Sequence, residues 1–130
     1  MMLVFDTSVI ISIEKNDRKI IKRISELSKI YTGAPQTTFI AYYEFLLGIK
    51  NRSPKNQVKS IEFLNNFNCL CATKETSKIL SDLKHKYNNK GISINLADLI
   101  IASQTKENNM ALITRNKIFE KIEEISKIIV

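Results

Sequence analysis

Short apolar runs alternate with helix-length segments along this chain, and the stretches between the runs are too long for hairpins. Antiparallel neighbours can be joined by a tight turn, whereas parallel strands need a long crossover that usually carries a helix. The pattern therefore predicts an α/β fold, a three-layer α/β/α sandwich around a mainly parallel sheet. With 130 residues, the chain is expected to form one domain over 1–130.

Local chemistry predicts the elements. Leu3-Val4-Phe5 is a first strand, and Thr7 or Ser8 is expected to cap a helix through Val9–Ile13. Asp17 can cap a second helix, with Ile20, Ile21, Ile24, Leu27 and Ile30 at helical spacing. Gly33-Ala34-Pro35 breaks the chain before a strand around Gln36-Thr37-Thr38 and a helix from about Phe39 to Ile49. Asn51–Lys55 is a polar turn whose proline suits a helix start. The helix after it carries Val58, Ile61, Phe63, Leu64 and Phe67, with Glu62 toward solvent. Asn68–Ala72 is expected as a third strand. A long helix then runs from Thr73 or Thr76 to about Asn89, with Gly91 as terminator. Leu96–Glu107 is a further helix and Met110–Thr114 a fourth strand. A short helix near Ile118–Ile125 and a strand Ile128–Val130 close the chain.

Composition narrows the partners. Lys and Arg number 20 against 13 acids, a formal charge of +7, which serves solubility or a polyanionic partner such as nucleic acid. The apolar start, Met1–Ile13, has no preceding basic residue and contains Asp6, so it does not resemble a signal peptide. No apolar run approaches the ~20 residues that span a bilayer, so a cytoplasmic protein without membrane contact is expected. Cys69 and Cys71, two apart, are expected as small core residues on one face of a strand. His85 is the only histidine, and it is expected to be exposed between two lysines. That leaves too few ligands for structural zinc, no paired-histidine chemistry and no convincing base for a cysteine nucleophile. No glycine-rich phosphate loop is present.

Three acids stand out by their isolation. Asp6 is the only charged side chain from Met1 to Ile13, Glu44 the only one from Ile30 to Ile49, and Asp98 the only one from Gly91 to Thr105. The other ten acids lie in mixed, mostly lysine-rich surroundings. A lone carboxylate in an apolar segment is costly to bury and tends to take up a proton. If the three converge, a divalent cation relieves their repulsion, and hard oxygen ligands suit Mg²⁺ or Mn²⁺. Asp6 follows the first strand, where open α/β sheets form their sites. Each acid also has a plain structural alternative: Asp6 as a helix cap, Glu44 paired with a buried base, Asp98 bonded to Ser93 or Asn95.

At these residues the sequence resembles the PIN-domain family, in particular its VapC-type toxins. Leu3-Val4-Phe5-Asp6-Thr7-Ser8 resembles the family's opening motif and Tyr43-Glu44-Phe45-Leu46-Leu47-Gly48 its second acidic helix. Gly91-Ile92-Ser93-Ile94 with Ala97-Asp98-Leu99-Ile100-Ile101-Ala102 resembles the third block. Leu112-Ile113-Thr114-Arg115-Asn116-Lys117-Ile118-Phe119 resembles the fourth. The resemblance implies a metal-dependent endoribonuclease using Mg²⁺ or Mn²⁺, usually dimeric, and restrained by a cognate antitoxin protein. Asp6, Glu44 and Asp98 would hold the ion, partly through water, and Asn116 would join the catalytic set. Thr7, Ser8 and Thr114 would support it through their hydroxyls. Arg115 would contact RNA, with Lys84, Lys86 and Lys90 as weaker candidates. The fourth block often carries an acid where this chain has Asn116, and sometimes another at Ile118. Asn116 can offer a carbonyl oxygen but adds no negative charge toward a second ion. Glu120 either compensates one turn on or is a surface acid. Two other readings remain: a non-catalytic RNA- or protein-binding module, and a Mg²⁺-dependent phosphohydrolase using Asp6 as nucleophile.

Overall fold

A computed structural model describes residues 1–130. Its elements run β1 (Leu3–Phe5), α1 (Thr7–Glu14), α2 (Arg18–Leu27), β2 (Gln36–Thr37), α3 (Phe39–Gly48), α4 (Pro54–Leu64), β3 (Asn68–Cys69), α5 (Lys74–Asn89), α6 (Leu96–Glu107), β4 (Ala111–Thr114), a 3₁₀ turn (Lys117–Lys121) and β5 (Ser126–Ile129). The sheet has five strands in the order β3-β2-β1-β4-β5, and every pairing is parallel. Strand order reverses between β1 and β4, which pair through Leu3–Ala111, Val4–Leu112 and Phe5–Ile113.

Strand alternation divides the core into two. Leu3, Phe5, Ala111 and Ile113 pack into one cluster with Val9, Ile20, Phe45 and Leu64. Val4 and Leu112 face the other way, into a cluster with Leu83, Tyr87, Leu99 and Phe119. Helices α1 to α4 therefore cover one face and α5 and α6 the other, the predicted three layers.

The helix starts obey local chemistry. Asp17, Thr38, Ser53, Thr73 and Asn95 cap α2, α3, α4, α5 and α6 through side-chain oxygens. Gly91, with φ +68, ends α5 as expected and turns the chain in a conformation open to glycine.

Several expectations need correction. The cap of α1 is Asp6, and Thr7 and Ser8 lie inside the helix. Ile30 lies beyond α2 and is exposed, because the chain leaves the helix before the period can bury it. Val58 and Ile61 are also exposed. Phe67 is buried after α4 has ended, its ring edge-on to Phe5 at 5.4 Å. Strand β3 is two residues long and lies at the sheet edge, so Cys69 and Cys71 are exposed free thiols rather than core. The short helix near Ile118–Ile125 is instead a 3₁₀ turn over Lys117–Lys121, and the last strand begins earlier, at Ser126.

Candidate metal and catalytic site

Asp6, Glu44 and Asp98 reach one end of the sheet from three elements. Asp6 leaves the carboxyl end of β1 beside the strand-order reversal, Glu44 lies midway along α3, and Asp98 is in the first turn of α6. Asp6 is tied in by both carboxylate oxygens. Oδ1 accepts the Thr7 N–H at 2.8 Å, and Oδ2 accepts the Thr114 hydroxyl at 2.7 Å. Thr114 Oγ1 in turn accepts the Asn116 N–H at 3.0 Å, so β4 orients the carboxylate that β1 delivers. The Thr7 hydroxyl bonds Glu44 Oε1 at 3.1 Å, coupling α3 to α1. The Asn95 side chain caps α6 by accepting the Asp98 N–H at 2.8 Å.

Charge is uncompensated here. Burial pushes Asp6 above its ordinary value, against the pull of Thr114, the Thr7 amide and Ser8. Burial also raises Glu44; the Thr7 hydroxyl opposes this, while the charges of Asp6 and Asp98 add to it. Asp98 is raised by burial and by Asp6, with Asn95 opposing. The three acids therefore sense one another, and none of the molecule's ion pairs includes any of them. The alternative of Glu44 paired with a buried base is excluded. For Asp6 the cap and the site are the same residue.

The donor set fits a hard divalent cation: all oxygen, anionic, and without a neighbouring base. No three His, Cys, Asp or Glu side chains are gathered tightly enough to enclose an ion unaided. Ligation partly through water suits that spacing, and Mg²⁺ keeps several of its waters. None of the molecule's hollows is lined by Asp6, Glu44 or Asp98. The most apolar one, about 290 Å³ between Leu3, Phe5, Ile24, Tyr31 and Phe67, lies elsewhere.

The remaining predicted residues take varied places. Asn116 Oδ1 caps the 3₁₀ turn by accepting the Ile118 N–H at 3.1 Å, and its own N–H supports Thr114. Ser8 Oγ accepts the Arg115 N–H at 3.1 Å. Arg115 extends away from the carboxylates, its Nη1 on Ser12 Oγ at 2.9 Å and Asp17 Oδ2 at 3.5 Å. Lys86 is committed to Glu123 and Glu124, and Lys90 approaches Glu123 at 3.9 Å, so neither is a free phosphate contact. Lys84 and His85 lie on the exposed side of α5, and Glu120 is exposed.

Sequence reasoning missed Gln104. It is fully buried, accepting the Phe39 N–H at 3.0 Å and donating to the Leu70 carbonyl at 3.1 Å. It thereby fixes the start of α3, which carries Glu44, against α6, which carries Asp98. The available signal was an uncharged amide in a helix whose only charge before its last turn is Asp98.

A family model described as PIN domain matches residues 3–125. No curated protein matches the sequence significantly. Among solved structures, the chain is similar to VapBC-1 from nontypeable Haemophilus influenzae, with 27% identity, TM-score 0.82, and 99% of this chain and 98% of that one covered. It resembles VapBC2 from Rickettsia felis, bound to a promoter DNA fragment, with 22% identity, TM-score 0.86 and coverage of 100% and 99%. It also resembles DNA-bound VapBC from Salmonella typhimurium, with 20% identity, TM-score 0.83 and coverage of 98% and 97%. The last two likenesses speak for the fold alone.

Proposed function

This chain belongs to the PIN domain family, and on that footing we propose that it is a single-domain, metal-dependent endoribonuclease, the toxin of a VapBC-type toxin–antitoxin pair. One observation carries the reading: three carboxylates from distant segments sense one another's charge beside the strand-order reversal, which raises Glu44 and Asp98, with no base against them. Asp6, Glu44 and Asp98 would hold Mg²⁺ or Mn²⁺, which supplies an activated water and a counter-charge for the phosphate.

The chain's own residues prepare this chemistry. Thr114 and the Thr7 amide orient Asp6 and favour its ionised form against the cost of its burial. The Thr7 hydroxyl sets the Glu44 carboxylate. Asn116 contributes through its backbone, holding Thr114, while its side chain is engaged in the turn. A phosphoryl-accepting role for Asp6 is disfavoured, since both its oxygens carry hydrogen bonds and it is 7% exposed.

Partners follow from the same reading. Tyr43 and Leu47, one helical turn apart on α3 and both exposed, support a homodimer. The VapBC likenesses support an antitoxin partner encoded nearby. No helix is long and apolar enough to cross a membrane.

The test is cleavage of RNA by the wild type and by Asp6→Asn, with Mg²⁺, with Mn²⁺ and with EDTA. Cleavage should require the ion and fall by more than about 100-fold in the variant, beyond what loss of a supporting residue causes. Equal cleavage in EDTA, or by Asp6→Asn, would end this assignment. A phosphoryl adduct on Asp6 would replace it with the phosphohydrolase reading.

A further inference from the structure

A hollow of about 350 Å³ opens between the start of α2 and the segment after β4, lined by Asp17, Lys19, Ile20, Arg23, Arg115 and Val130. Three of its lining residues are cations and one is an acid. Lys19 takes part in no ion pair, and Arg23 shares only an exposed contact with Glu26 at 3.6 Å. Arg18 and Lys22 add exposed charge on the same helix. Asp17 does not cancel this. Its Oδ1 is engaged by the Lys19 and Ile20 amides and its Oδ2 by Arg115.

The hollow adjoins the Asp6 end of the sheet through Arg115, which lines it and directly follows Thr114, the hydroxyl donor to Asp6. Ser8, two residues after Asp6, accepts the Arg115 N–H, and Ser12, one turn on, accepts from the Arg115 guanidinium. Asp6 and Ser12 are separated by about 9 Å of helix rise. Arg115 makes both its contacts through Nη1, which leaves the other guanidinium nitrogens for an acceptor.

We propose that this hollow is a subsite for a flanking phosphodiester of the single-stranded RNA whose cleavage is assigned to the carboxylates. It rests on the nuclease reading and deepens it. Lys19, Arg23 and the outer face of Arg115 grip a phosphate within a nucleotide or two of the bond being cut. Because phosphates look alike along the strand, the subsite sets affinity and register, and base choice lies elsewhere. Its place beside the acids, one residue beyond Thr114, favours RNA over an acidic protein segment as the occupant.

The experiment reads binding without turnover. A labelled single-stranded RNA of mixed sequence is titrated in EDTA with wild type, with Lys19→Glu/Arg23→Glu, and with Lys55→Glu/Lys59→Glu on α4 as a control of equal charge change. The first pair should weaken binding by about tenfold or more. It should also flatten the salt dependence by about 0.7, since each phosphate neutralised on a single strand contributes a slope of about 0.7 and the hollow holds one. The control pair should retain wild-type affinity. Unchanged affinity and slope in the first pair, or an equal loss in the control, overturns the subsite. So does RNA binding that persists while binding of poly-glutamate is lost, which would assign the hollow to an acidic protein. A wild type that binds RNA through these residues yet never cleaves it would sink the nuclease reading alone.

Discussion

Two clusters of acids in this molecule behave oppositely. Glu123 and Glu124 are neighbours near the end of the chain, and Lys86 bridges both, 2.6 Å from Glu124, while the Tyr87 hydroxyl also donates to Glu124. The Lys86 contact holds Glu123 below its ordinary value. Burial pushes Glu124 up, but the bonds from Lys86 and Tyr87 outweigh it and hold this acid low as well. Lys86 is raised in return, chiefly by Glu123. At the other cluster Asp6, Glu44 and Asp98 have hydroxyl and amide donors only, and all three are raised. The chain supplies a cation to one acid cluster and withholds one from the other. Acid clustering alone says little, and the missing base carries the inference.

The sharpest way to break this contrast is to loosen the acid that hydroxyls hold. Thr114→Val keeps the side-chain shape but removes both the donor to Asp6 and the acceptor for the Asn116 amide. Cleavage should fall about 10- to 100-fold, with a higher Mg²⁺ requirement. Stability should fall by about 1–3 kcal/mol in a denaturant titration. If the variant cleaves and unfolds as the wild type does, Thr114 does not orient the site.

Next in size is protection by the ion. At 100 times its dissociation constant, Mg²⁺ should add about 2.7 kcal/mol at neutral pH, seen as a raised melting temperature. That gain should shrink on acidification, as protons displace the ion from the raised carboxylates. Without metal the pH dependence has a definite sign. Folded pKa values above the ordinary 3.8 of aspartate and 4.5 of glutamate mean that the native state binds protons more tightly than the unfolded chain. These acids therefore stabilise the fold as pH drops through their raised values, and the gain is lost as pH rises again. Glu123 and Glu124 work the other way, and their contribution fades as pH falls below 4.5. A metal-free melt with no change from this opposition would undo the comparison.

Smaller effects sharpen it. Asp98→Asn removes one of the repelling charges and should raise metal-free stability by up to about 1 kcal/mol while abolishing protection by Mg²⁺. Glu124→Gln removes a paired charge and should cost about 0.5 kcal/mol, less at high salt. Opposite signs in the two melts are the expected result.

Much of this was legible in the sequence, for reasons that particular residues expose. Leu96–Glu107 matches its predicted bounds because Asn95 caps it and the run from Gly91 to Thr105, with Asp98 its only charge, marks a buried helix. That Asp6, Glu44 and Asp98 lie within electrostatic reach of one another was legible because burying a charge is costly enough to leave a trace in composition. Strand β3 was not, because its cysteines pack against nothing once the strand lies at the sheet edge. Val58 and Ile61 failed for a related reason: helical spacing marks one face of α4 but does not say what covers it. The path of Arg115 depends on Ser12 and Asp17, contacts that no local pattern encodes. The double duty of Asp6 as cap and ligand was hidden because either role alone accounts for an acid after a strand.

That double duty shapes how such a site is lost over generations. Asparagine caps a helix about as well as aspartate, and at position 6 it would shed the charge whose burial is unfavourable. A lineage can therefore discard the activity by a single amide exchange and keep a chain that folds as readily as before. Cellular surveillance that removes poorly folded proteins would not notice, and the inert form would persist at full abundance beside the active one.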